Sequence, residues 1–156
     1  MVVNLTEQRG HQISKLTLKP TMGNFLVWRS IYLEDETYHI DALRPAFFSE
    51  EKLYPGGNLP AFQILKDIPG LPDNTALAKD IERFSNFSQG HLAFDPKDKS
   101  VIGDVRYAML PNGIRPIWGI RIDPENPGNH ADFENFSKAD PVLIKKYLSM
   151  ILGQNL

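Results

Sequence analysis

Apolar positions along the chain recur with the two-residue period of strands in several places. Over residues 13–19, Leu16 and Leu18 fall on one face of an extended segment, and Pro20-Thr21-Met22-Gly23-Asn24 interrupts it. The run FLVWRSIYL over 25–33 is rich in β-branched and aromatic residues. After the acidic turn Glu34-Asp35-Glu36, the run YHIDAL over 38–43 alternates again, so the two predict a β-hairpin. Further extended runs over 91–95, 101–110 and 114–122 are parted by Pro96-Lys97-Asp98-Lys99 and by Pro111-Asn112-Gly113. Connections this short make neighbouring strands antiparallel.

Elsewhere the period lengthens to that of a helix. Asp73 or Asn74 can cap a helix over about 74–88, with Leu77, Ile81, Phe84 and Ser88 on one side and Gly90 at its stop. Asp140, Pro141 and Gly153 frame a C-terminal helix over about 140–152. Its stripe of Leu143, Ile144, Tyr147, Leu148 and Ile151, opposite Lys145, Lys146 and Ser149, is expected to lie on the sheet. A short opening helix over 2–11, capped by Asn4 and stopped by Gly10, has only Val2, Val3 and Leu5 to bury. Residues 44–73 carry Pro45, Pro55, Pro60, Pro69, Pro72 and Gly56-Gly57. They predict a stiffened crossover with helical turns near 49–53 and 61–65, packed down by Phe47, Phe48, Tyr54 and Phe62; long loops of this kind are often functional. The sum is an α+β fold: a mainly antiparallel β-sheet with an amphipathic helix and a C-terminal helix packed on it, one domain over 13–156.

Composition narrows the partners. The chain has 156 residues, 42% hydrophobic and 23% charged, which is ordinary globular usage and sufficient for a core. Its 17 basic and 19 acidic residues leave a net charge of −2, so no phosphate backbone is expected as a partner. With no cysteine, disulfide partners and thiolate metal sites are excluded. No apolar run in the chain is long enough to cross a bilayer as a helix.

The chemistry-bearing positions are few. Phosphate-cradling glycine loops, the G-x-S-x-G elbow and H-E-x-x-H are all missing. The histidines stand at 11, 39, 91 and 130. His39-Ile40-Asp41 and His130-Ala131-Asp132 each place two ligand types two apart, on one face of a strand, but nothing at recognisable spacing supplies the remaining ligands. The stretches Asp80-Ile81-Glu82-Arg83 and Asp104-Val105-Arg106 each set an acid beside an arginine. Asp80 with Arg106, or Arg83 with Asp104, can tie helix to sheet; the same Arg83, Arg106 and Asp104 can instead form a ligand site for an anion.

Several stretches, in order, resemble one bacterial family. They are Lys19-Pro20-Thr21-Met22-Gly23-Asn24 with Leu26-Val27-Trp28-Arg29-Ser30-Ile31-Tyr32, Asp80-Ile81-Glu82-Arg83-Phe84 with Phe87-Ser88-Gln89-Gly90, and Ile102-Gly103-Asp104-Val105-Arg106-Tyr107 with Pro116-Ile117-Trp118-Gly119-Ile120. The set is similar to the C-terminal extramembrane region of the bacterial inner-membrane proteins called membrane-bound metal-dependent hydrolases (the YdjM-like family), and covers roughly residues 9–153. The resemblance implies that the divalent metal belongs to an N-terminal, membrane-embedded half with an H-R-x-x-T-H-type motif. This chain has no such motif, so the resemblance places no catalytic residue, metal ligand or cofactor on it. It also implies that residues 1–12 are the remnant of a preceding transmembrane helix. The domain then lies in the aqueous compartment beside the bacterial inner membrane. Its partner is its own N-terminal transmembrane region, and its role is shaping substrate access or docking a small-molecule or protein partner. Two alternatives stand beside it. One is a free-standing ligand-binding protein with its anion site near Arg83 and Arg106. The other is a small metal-using hydrolase working through His39 and Asp41, or His91 and Asp104.

Overall fold

The computed structural model describes residues 2–21, 23–46, 50–138 and 140–156; Phe47, Phe48 and Ser49, on which part of the expected crossover packing falls, lie outside these. The described strands form two four-stranded sheets, ordered β1-β2-β3-β4 and β5-β6-β7-β8. With the helices they make the protein α+β, as the hydrophobic pattern predicts. The chain divides into two compact units. The first comprises Met1–Leu59, Ala108–Ile114 and Lys138–Leu156, and the second Pro60–Tyr107 and Arg115–Ser137.

The first unit opens with helix α1 (Val2–Arg9), followed by strands β1 (Lys15–Pro20), β2 (Trp28–Glu34), β3 (Thr37–Arg44) and β4 (Lys52–Pro60). The predicted hairpin is β2–β3, in a register running from Trp28 opposite Leu43 to Glu34 opposite Thr37. Its turn is the pair Asp35-Glu36, both at positive φ (42° and 64°), the twist that two-residue hairpin turns require. Ile31 and Ile40 pair on one face and are fully buried; Tyr32 and His39 pair on the other.

β4 corrects the sequence reading. The prolines and glycines of residues 52–60 (KLYPGGNLP) predict irregular backbone, yet these residues form the edge strand beside β3. An edge strand tolerates proline because one row of its amides needs no ladder partner. Gly56 is there for space: a Cβ would sit 2.3 Å from the Ile40 carbonyl oxygen and 2.4 Å from that of Asn112. Arg29 secures the 108–114 segment to the sheet by donating to the carbonyls of Pro111 (2.7 Å) and Gly113 (2.8 Å).

Helix α4 (Pro141–Ile151) starts where predicted, with the Asp140 side chain accepting from the Val142 amide. Its buried face is centred elsewhere than the stripe suggested. Met150 is fully buried against Val27, Ala42 and Tyr54, whereas Ile144 and Leu148 are about half exposed.

The second unit holds α2 (Ile64–Asp67), α3 (Ala76–Phe87), β5 (Leu92–Asp95), β6 (Asp98–Asp104), β7 (Trp118–Arg121) and β8 (Asp132–Asn135). The cap of α3 is Thr75, not Asp73 or Asn74. Leu77, Ile81 and Phe84 meet Leu92, Ile102 and Ile120 in its core, as their spacing predicts. Strand β6 ends at Asp104, short of the expected Leu110, and β8 occupies residues to which the hydrophobic pattern assigns no full strand.

Candidate functional site

A group of ionisable and aromatic side chains in the first unit is built at the end of α1. The helix finishes in a Schellman motif: the Gly10 amide donates to the Glu7 carbonyl and the His11 amide to the Thr6 carbonyl, both at 3.0 Å. Gly10 stands at φ 70°, where a side chain would be strained. This reversal points the residues on either side of Gly10 toward the β2–β3 hairpin. Arg9 reaches Asp41 in a fork of 2.7 and 3.2 Å and also donates to the Tyr32 hydroxyl at 2.9 Å. His11 Nδ1 lies 2.8 Å from that same hydroxyl.

The hairpin register supplies the rest. His39 sits directly across from Tyr32, and its ring stacks on the tyrosine with centroids 4.8 Å apart and planes 9° from parallel. Glu34, two residues after Tyr32, shares its face. The Glu34 carboxylate oxygen Oε2 is 3.3 Å from His39 Nε2 and 3.5 Å from His11 Nε2. The two imidazoles are 4.4 Å apart at their centroids. One potential ligand atom from each of His11, Glu34 and His39 lies within 4.8 Å of the others. Asp41 is 3% exposed and takes a third hydrogen bond from the Gly56 amide at 3.1 Å. Beside the cluster lies an open depression of about 320 Å³, lined by Arg9, His11, His39 and Asp41 on one side and by Pro55–Asn58 of β4 on the other.

The fixed charges of the cluster centre on the Arg9–Asp41 pair. The Asp41 carboxylate holds the Arg9 guanidinium firmly protonated against the cost of its partial burial. Burial, with the neighbouring His11 and Arg9, lowers the His39 pKa below its ordinary value, over the opposing pull of Glu34 and Asp41. His39 is therefore neutral at pH 7, with a nitrogen lone pair available as an acceptor.

The residues singled out from sequence are arranged differently. Arg106 is committed within β6 and its exit: it chelates Asp104 through Nε (2.9 Å) and Nη2 (2.7 Å) and donates to the Phe87 carbonyl (2.8 Å). Asp104 is fully buried and also accepts from the Arg106 amide. The expected cross-pairs are thus replaced by local ones, because an acid and an arginine two residues apart at a strand end can close a fork without a long-range partner. Arg83 lies along α3 with Asp80 at 2.6 Å, 72% exposed. Asp80 also accepts from His130 (2.8 Å) and the Ala131 amide (3.0 Å). Its partial burial opposes the charge, but these donors and Arg83 outweigh it and lower its pKa. His91 is buried with Nδ1 3.2 Å from the Ser88 carbonyl, and Asp104 beside it is taken by Arg106. His39 and Asp41 share a face, yet Asp41 serves Arg9 while His39 turns to Glu34. Sequence reasoning missed Glu34 and His11 as companions of His39. The hairpin register would have found Glu34; nothing local announces His11.

A second feature is the outer side of α4. Ile144, Leu148 and Leu152, at successive four-residue steps, are 51%, 52% and 67% exposed and form an apolar ridge bordered by exposed Lys145. Asn24, bonded to the Tyr147 hydroxyl of the same helix, precedes Phe25, itself 74% exposed.

The fold and cluster define an α+β protein with a histidine–carboxylate centre at the end of its first helix. No protein-family model, curated protein or solved structure matches this chain.

Proposed function

We propose that this chain is the water-facing accessory domain of a bacterial membrane-bound, metal-dependent hydrolase, docked on the membrane-embedded half of the same polypeptide. The observation that carries the reading is the ridge of Ile144, Leu148 and Leu152. A surface helix of a self-sufficient domain turns its apolar side inward, whereas here three large apolar side chains on one line face outward. The resemblance of the ordered motifs to those of the inner-membrane family supports that occupant. No helix of the described residues is long and apolar enough to cross a membrane, so a membrane-embedded half is a separate segment. Binding of an anion at Arg83 and Arg106 is disfavoured by their engagement with Asp80, Asp104 and the Phe87 carbonyl.

These 156 residues contribute no cysteine of their own to a labelling test. Leu148→Cys is introduced into the 156-residue chain and into the full-length protein in inner-membrane vesicles, and the rate of maleimide labelling is compared, with exposed Glu125→Cys as the reference. Docking requires Leu148→Cys to label much more slowly in the vesicles while Glu125→Cys labels equally in both. Equal labelling of Leu148→Cys in the two settings refutes the reading.

A further inference from the structure

We propose that His11, Glu34 and His39 form a binding site for a divalent transition-metal ion of the zinc class, held by His11 Nε2, His39 Nε2 and a Glu34 carboxylate oxygen. The site is additional to the accessory-domain reading and does not depend on it.

The geometry is that of a ligand set short of its ion. Zinc bonds of about 2.0–2.1 Å to imidazole nitrogen and carboxylate oxygen, in a tetrahedron, separate the ligand atoms by about 3.3–3.4 Å. The two nitrogen–oxygen separations here are 3.3 and 3.5 Å. The third edge closes within 4.8 Å, so binding draws the two imidazole nitrogens somewhat closer together. Two imidazoles and one carboxylate suit zinc, copper or nickel; calcium and magnesium call for more oxygen ligands than the single carboxylate offers.

The surroundings repeat the pattern of a supported metal site. A metal-binding imidazole normally donates through its second nitrogen to an oxygen that fixes its orientation. His11 Nδ1 has such a partner in the Tyr32 hydroxyl at 2.8 Å. That hydroxyl also accepts from Arg9, itself locked by Asp41, so its oxygen is held in place beside His11. In the tautomer that carries its proton on Nδ1, His11 presents its Nε2 lone pair on the side of Glu34. Stacking on Tyr32 holds the His39 ring in place. The three ligand side chains are only 15–21% exposed, so a bound ion is partly shielded, and the depression lined by Pro55–Asn58 leaves room for water or a further ligand on the open side.

The test is titration of the metal-stripped 156-residue chain with zinc chloride against a chromophoric chelator, with cobalt(II) chloride as a spectroscopic probe. The expected result is one zinc per chain and the visible absorption of tetrahedral cobalt. Tyr32→Phe should weaken zinc binding about 10–100-fold, as loss of a supporting hydrogen bond does, and His11→Ala, His39→Ala and Glu34→Gln should weaken it more. His130→Ala, whose ring pairs with Asp80 on the surface, should bind zinc as the parent chain does. Because a ligand variant can fail to fold, nitrogen-15 spectra of the histidines in the parent chain give a second reading. Zinc should move the Nε2 resonances of His11 and His39 and leave those of His91 and His130 in place. Absence of chelator-competitive binding, binding unchanged in folded ligand variants, or shifts confined to His91 or His130 would each overturn the proposal. Maleimide protection at Leu148 is indifferent to all of these outcomes, so the two readings fail separately.

Discussion

Replacing Asp41 by alanine should be among the most damaging single changes in the first unit. The carboxylate is 3% exposed and accepts three hydrogen bonds, two from Arg9 and one from the Gly56 amide. Breaking a buried ion pair by deleting one partner costs about 3–5 kcal/mol, since the surviving charge stays out of water. Arg9 is 29% exposed on its side chain and keeps its bond to the Tyr32 hydroxyl, so its charge is partly rehydrated and the lower edge of that range applies. The Gly56 amide loses its acceptor in addition, a desolvated donor worth about 1–3 kcal/mol if no water replaces the carboxylate. An overall loss of about 4–6 kcal/mol follows. For a chain of this length that lowers the midpoint of thermal unfolding by about 8–24 °C, at about 2–4 °C per kcal/mol. Asp41→Asn keeps the shape and one oxygen acceptor and should cost about 1–2 kcal/mol, the worth of a charge-assisted hydrogen bond made neutral. The assay is urea unfolding at pH 7 followed by the fluorescence of Trp28 in a Trp118→Phe background, so that the signal arises in the first unit alone. A cycle with Arg9→Met isolates the pair, and a coupling energy above about 1 kcal/mol is expected for groups in direct contact. A cost below about 1 kcal/mol for Asp41→Ala, or strict additivity with Arg9→Met, would refute the assignment of Asp41 as the anchor of this cluster.

Gly56→Ala should destabilise the first unit by about 1–3 kcal/mol in the same unfolding assay, because its Cβ meets backbone oxygens of Ile40 and Asn112 that cannot swing aside; a neutral or stabilising result would mean that β4 is not held this closely. Met150→Ala should cost about 2–5 kcal/mol, as truncation of a fully buried side chain does, whereas Leu148→Ser in the 156-residue chain should stay within about 0.5 kcal/mol; denaturant midpoints of the two, taken side by side, test which face of α4 carries the packing. In the second unit, the Asp98 pKa is lowered to about 2 by the hydroxyl and amide of Ser100 and by Arg121. A depressed carboxylate stabilises the fold above its unfolded pKa of 3.8 and loses that contribution as pH falls through about 2. Asp98→Asn should therefore be less stable than the parent at pH 6 and indistinguishable from it near pH 1.5, read from acid titrations of unfolding.

The sequence by itself determined what depends on neighbours in the chain. The β-branched and aromatic run over 25–33 and the alternation over 38–43, with the acidic turn Glu34-Asp35-Glu36 between them, predict a hairpin, and the observed register puts Glu34 and His39 on one face. The helical spacing of Leu77, Ile81 and Phe84 and the frame of Asp140, Pro141 and Gly153 carried over to α3 and α4 for the same reason: local periodicity and capping act within a few residues. Tertiary structure decided the rest. The prolines and glycines of 52–60 read as loop until β3 offers them an edge to pair with. Which side of α4 is buried depends on the shape of the sheet that Met150 meets, not on the count of apolar residues along the helix. Arg106 could have reached Asp80 and instead closed on Asp104, because the shorter fork orders less chain. His11 joins Glu34 and His39 only through the reversal at Gly10, a backbone conformation that brings residues more than 20 positions apart to one carboxylate and leaves no periodic trace in the sequence.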